Sequence, residues 1–154
     1  MSDWKRSTRE IPFESVDPEV RVEVQKHVEL YNLGDILSDT LMSIQTDSEK
    51  AKKGLFGSAE INHTIAILTP RWLLWVVSGT KTKAAVLSAQ LRDVVIEDYA
   101  NTPFAKRVSD SGIQVSGQFT DMSENVSAFI GLEDNAAGKK FKQRIIDAVQ
   151  ESKI

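Results

Sequence analysis

Two histidines, His27 and His63, and no cysteine make up the soft-ligand and neutral-pH base inventory of this 154-residue chain. Glu23 and His27 stand four residues apart, a spacing that puts both on one face of a helix and within reach of one cation. His63 belongs to a different stretch and no further ligand lies nearby, so the pair reads more simply as a helix-surface ion pair. Glu97 and Asp98 are adjacent in a β-prone run, where neighbours point to opposite faces, and that is poor geometry for paired acid–base work. No nucleophile–base signature, phosphate-cradling glycine loop or dinucleotide fingerprint occurs. The absence of cysteine removes disulfides, thiolate zinc sites and thiol nucleophiles together. The expectation is a protein that is not an enzyme and uses no cofactor and no metal.

What the chain does offer is cations on two short polar stretches: Lys50, Lys52 and Lys53 in Glu49-Lys-Ala-Lys-Lys-Gly54, and Lys81 and Lys83 in Gly79-Thr-Lys-Thr-Lys83. Lysines on flexible loops can follow several phosphate oxygens, and each one near an anionic bilayer contributes about 1 kcal/mol. Asp47 and Glu49 dilute that field. The plainer reading is a solvated loop that keeps a strand edge from pairing with another molecule. Leu55 and Phe56, between Gly54 and Gly57, read as core residues under a loop or as an exposed wedge.

The elements that must carry these loops are legible from periodicity. Thr64-Ile-Ala-Ile-Leu-Thr-Pro-Arg-Trp-Leu-Leu-Trp-Val-Val-Ser78 holds two apolar runs around Pro70, which lacks a ladder donor, so the chain reverses there into a tight antiparallel hairpin. Its second arm is apolar on both faces and needs cover on each side. Trp72 and Trp75 fall on opposite faces of it, and whichever tryptophan is exposed would mark a contact surface. Further strands are expected at 41–44, at 85–91, at 94–99, at 113–117 and at 126–132, with a short edge strand at 104–108.

Asp17-Pro18-Glu19 starts a helix with a capping carboxylate and proline at its first position, and Gly34 stops it. Val20, Val24, Val28 and Tyr31 give this helix an apolar stripe. The stripe either packs on the chain's own sheet or on a second copy, which would make a homodimer through the N-terminal helix. The last element, opening at Glu133-Asp-Asn135, is an amphipathic helix whose Phe141 and Ile145 plug the core.

Hydrophobic residues at 41% and charged residues at 27% are ordinary globular usage, and a net charge of -3 argues against a dedicated nucleic-acid binder. The polar N-terminus lacks the apolar core of a signal peptide and the longest apolar run is too short to span a bilayer, so a cytoplasmic protein is expected. The expected organisation is a loosely held arm at 1–16 and a single domain at 17–154. Within it, 17–34 is an added helix, 40–134 a bent antiparallel sheet and 135–152 a closing helix.

Short antiparallel strands followed by one C-terminal amphipathic helix resemble the pleckstrin-homology-like superfamily, in particular its bacterial and GRAM-type branches. The resemblance rests on Ile65-Ala-Ile-Leu-Thr-Pro-Arg-Trp-Leu-Leu-Trp-Val76, on the Asp110-Ser-Gly-Ile-Gln-Val115 hairpin and on the helix from Asn135 to Ser152. It covers about Thr40 to Ile154 and departs from the family pattern at Trp72, where a small aliphatic is usual. It implies an α+β fold, a partly open barrel of about seven strands capped by the C-terminal helix. It also implies binding of lipid headgroups, peptides or other domains through the loops at the barrel's other end. The expected function is a non-enzymatic binding or scaffolding module for a protein partner. The alternative is peripheral membrane contact, with anionic phospholipid recognised through Lys50, Lys52 and Lys53 and helped by Lys81 and Lys83.

Overall fold

Pro70 does turn the chain. A computed structural model describes residues 4–50, 59–80 and 83–154, and in it β3 (Glu60–Leu68) and β4 (Trp72–Gly79) run antiparallel with Leu68 opposite Leu73. Thr69 supplies what proline cannot. Its N–H donates to the Trp72 carbonyl at 2.9 Å, and its hydroxyl accepts from the Trp72 N–H at 3.0 Å.

Around this hairpin the chain forms two antiparallel sheets. The first runs in sequence order through β1 (Trp4–Glu10), β2 (Met42–Lys50), β3, β4 and β5 (Ala85–Gln90). The second is β6 (Val94–Asp98), β7 (Gly112–Gly117) and β8 (Val126–Gly131). Two helices cover them: α1 (Pro18–Leu30) and α2 (Ala136–Ser152).

β4 is the strand with two apolar faces, and both are covered. Leu73 and Trp75 join Ala66, Leu68, Ile113, Val115, Ile130, Phe141 and Ile145 in the core between the two sheets and α2. Trp75 meets Phe119 edge-to-face with ring centroids 5.2 Å apart. Leu74 and Val76 face the other way, onto Ile65, Ile67, Val20 and Val24, so α1 lies on the outer face of the first sheet. The apolar stripe of α1 is thus seated on its own chain. As expected, Asp17 caps α1, accepting from the Glu19 N–H at 2.9 Å; α2 is capped by Asn135, which accepts from the Gly138 N–H at 2.9 Å.

Four expectations need correction. Among the described residues there are eight strands instead of about seven, divided between two separate antiparallel sheets instead of one partly open barrel. The stretch at 104–108 is not an edge strand. Pro103–Lys106 is a 3-10 turn, as the proline at its first position favours. The added helix ends at Leu30, four residues before Gly34, because Asn32 already takes a positive φ of 54° and Gly34 one of 78°. Most consequentially, the arm expected at 1–16 contains β1, paired with β2 over its whole length from Trp4 opposite Lys50 to Glu10 opposite Ile44.

β1 is held on its outer side by residues from the far end of the chain. The Thr8 N–H donates to Glu133 Oε1 at 3.0 Å, the Thr8 carbonyl accepts from Asn135 Nδ2 at 2.9 Å, and the Glu133 N–H donates to Thr8 Oγ1 at 2.8 Å. Two residues earlier, the Arg6 guanidinium grips both oxygens of Asp110 (2.8 and 2.6 Å) and donates to Ser48 Oγ at 2.7 Å. It also lies 5.4 Å from the ring centroids of both Trp4 and Phe129. Side chains therefore join β1 to the second sheet where no strand-to-strand ladder does. Replacing Thr8 by the near-isosteric Val removes the acceptor of the Glu133 N–H and the partner of the buried Thr46 hydroxyl at 2.8 Å. We expect Thr8→Val to lower unfolding free energy by about 1–3 kcal/mol at unchanged urea m-value. A loss below about 0.5 kcal/mol would show that β1 is not held this way.

Candidate functional site

A groove of about 880 Å³ opens where α1 leaves the outer face of the first sheet uncovered. The helix bank carries Asp17, Glu19 and Glu23, with Val20 and Val22 between them. The strand bank carries Ile61 and His63 of β3, Ser78 and Gly79 of β4, and Lys83. The sequence explains the gap. Ile65 and Ile67 sit under the buried Val20 and Val24, but Ile61 and His63 continue the same strand face past the helix. Ile61 and Val22 consequently remain 37% and 47% exposed, although both are apolar. The strand bank is firm, because the Thr80 N–H donates to the Ile61 carbonyl at 3.0 Å. Gly79 must be small, since a Cβ there would run into the Asn62 side chain, whose amide oxygen is buried without a hydrogen-bond partner among the described residues.

Among the described residues the lining of this groove is mainly acidic. Three carboxylates face Lys83 and His63, and Glu23 is shared with Lys26 at 3.6 Å. His63 Nδ1 lies 2.7 Å from Asp47 Oδ1, and the other oxygen of Asp47 takes Arg9 at 2.9 Å. Burial pushes the Asp47 carboxyl up, but hydrogen bonds from Gln45, His63 and Arg9 outweigh it and hold the group below its usual 3.8. Asp98 behaves alike, with Lys142 at 2.8 Å and the Ala100 N–H overcoming burial. Each of these shifts has a structural partner.

The lysines singled out in the sequence do not form one cluster among the described residues. Lys50 ends β2 opposite Trp4, with its ammonium 5.8 Å from that ring's centroid. Lys83 lines the groove beside β5, three strand spacings or about 14 Å across the sheet from β2. Lys52, Lys53 and Lys81 lie outside the described residues, as do Leu55 and Phe56. Trp72 is the half-buried tryptophan of its strand and Trp75 the buried one. The groove itself is not apparent in the sequence; its signal is that Val22 and Ile61 are apolar residues belonging to no buried stripe.

His27 does not pair with Glu23. Its Nε2 lies 2.7 Å from Ser88 Oγ on β5, and its ring is 4.8 Å from that of Tyr31. Among the described residues no three of the His, Asp and Glu side chains converge as a metal site would require. No helix there is long and apolar enough to cross a membrane. No protein-family model matches the chain, and no curated protein or solved structure does so either.

Burial lowers the His27 pKa from its usual 6.5. The native state then binds fewer protons than the unfolded chain, so the contribution of His27 is complete above 6.5 and is lost as pH falls from there toward the lowered value. Asp47 and Asp98 titrate below 3.8, outside this window. We expect urea midpoints to decline on acidification just below pH 6.5 in the native protein, and less steeply in His27→Gln. Parallel profiles would rule out His27 as the titrating group.

Proposed function

We propose that this chain is a non-enzymatic binding module of pleckstrin-homology-like type, and that it recognises a protein partner through the groove between α1 and β3. The observation that carries this reading is the pairing of exposed Ile61 and Val22 with the carboxylates of Asp17, Glu19 and Glu23. An apolar floor with an acidic rim suits an extended segment that brings apolar side chains for the floor and lysine or arginine for the rim. The arrangement of a five-stranded and a three-stranded antiparallel sheet with a C-terminal helix supports the family part of the proposal. A cytoplasmic setting goes with it, supported by the absence of cysteine.

The same carboxylates disfavour phosphate at this wall and support the protein reading here; the alternative, anionic phospholipid recognised through Lys50, Lys52 and Lys53, does not pass through this groove. A display library of extended peptides panned against the chain tests the choice. We expect enriched peptides to combine apolar and basic residues, to perturb backbone NMR signals of Ile61 and Ser78, and to lose about tenfold or more in affinity on Ile61→Asp. Enriched peptides that ignore Ile61→Asp would overturn the groove. If no peptide is enriched, and vesicles containing anionic lipid sediment the protein in a salt-sensitive way, the membrane reading replaces it.

A further inference from the structure

At the opposite end of the first sheet, past the Pro70 turn, lies a second concavity, of about 680 Å³, with a different chemistry. Trp72 and Gln90 are cross-strand partners on β4 and β5, and Arg71, next to Trp72, and Arg92, two residues after Gln90, line the same cleft. The backbone joins the two segments that carry the arginines, because the Leu91 N–H donates to the Arg71 carbonyl at 2.8 Å. Both side chains are exposed, and neither guanidinium makes a hydrogen bond or ion pair with a described residue. Arg107, exposed on the turn after Pro103–Lys106, is in the same state, whereas the other four arginines are tied. Arg6 and Arg9 hold carboxylates, and Arg21 and Arg144 donate to backbone carbonyls.

A structural role for the two cations would be to neutralise the C-terminal end of α2, which approaches the cleft through Glu151 and Ser152. Three of the last-turn carbonyls are already occupied. Val149 accepts from the Ser152 hydroxyl, and Gln150 and Glu151 accept from the Lys153 N–H. Glu151 is the one carboxylate in the lining, and it forms no ion pair with either arginine.

We propose that this cleft binds a phosphate group carried on a small organic body. Arg71 and Arg92 would take the phosphate oxygens by their planar forks, Gln90 would add an amide donor, and the half-exposed indole of Trp72 would pack against the organic part. Two like charges lining one cleft repel, and an anion between them removes that penalty. The cleft volume falls in the range of small-molecule sites. The proposal is independent of the groove at the other end of the sheet. The phosphate comes from a soluble metabolite or from a lipid headgroup, and the two sources are separable by experiment.

The test is titration at low salt with inorganic pyrophosphate and phenyl phosphate, followed by the indole N–H signal of Trp72 and the side-chain amide of Gln90. In parallel, sedimentation is measured with phosphatidylcholine vesicles with and without phosphatidic acid. We expect saturable shifts, with Arg71→Gln and Arg92→Gln each weakening binding about tenfold or more, since a charge-assisted hydrogen bond contributes about 1.5–3 kcal/mol. Glu151→Gln should tighten binding. Arg107→Gln, which removes an exposed arginine outside the cleft lining, should leave it unchanged. Binding of the soluble probes assigns a metabolite, and arginine-dependent binding of phosphatidic acid vesicles alone assigns a headgroup. The site is refuted if no probe shifts these signals and no vesicle binds, or if Arg107→Gln weakens binding as much as either cleft variant.

Discussion

A strand with no solvent-facing side sets the terms for this molecule. Leu73, Leu74, Trp75 and Val76 are consecutive and each is at most 1% exposed, so β4 requires an apolar layer on both faces. One layer is the second sheet with α2; the other is α1. Neither layer folds alone into anything that covers itself, because each is apolar on only one side. The two cores are therefore one cooperative system sharing a central strand, and the helix inserted between β1 and β2 is a structural layer of that system.

The flanks of the first sheet are secured by polar groups. Main-chain donors and acceptors at a sheet edge must find partners, and here side chains provide them on one flank and a loop N–H on the other. Glu133 and Asn135 serve Thr8 on one flank. On the other, the Thr120 N–H donates to the Ser88 carbonyl at 2.9 Å, while the Ser88 hydroxyl donates to Thr120 Oγ1 at 2.7 Å. The result, among the described residues, is two sheets stitched at their margins without a continuous ladder, which is why they stay two instead of one partly open barrel.

The parts legible in the sequence were those governed by short-range rules. The Pro70 reversal, the Asp17-Pro18 helix start, the two-faced β4 and the Phe141/Ile145 plug each follow from periodicity or from a single residue's stereochemistry. The first strand was not legible. Trp4 to Glu10 alternates half-exposed and exposed residues except at Thr8, so its sequence carries almost no apolar signal. It is ordered by partners up to 127 residues away. The binding surfaces were hidden for a related reason. The lysine loop stands out as a run in one dimension, whereas Asp17, Ile61 and Lys83, or Arg71 and Arg92, become neighbours only after the sheet has formed. His27 shows the same limit: a helical spacing pointed to Glu23, but tertiary packing gave it Ser88.

The far-flung tether of β1 has a bearing on how the polypeptide matures during synthesis. Translation delivers the amino-terminal segment first, yet its outer hydrogen-bonding row cannot be completed until Glu133 and Asn135 have emerged. Until then a ribosome-bound intermediate exposes a sheet margin that invites other chains. The charges at Lys5, Arg6 and Arg9 on that margin would keep the unfinished product soluble, and a prematurely released chain would be recognisable to quality control by the same open border.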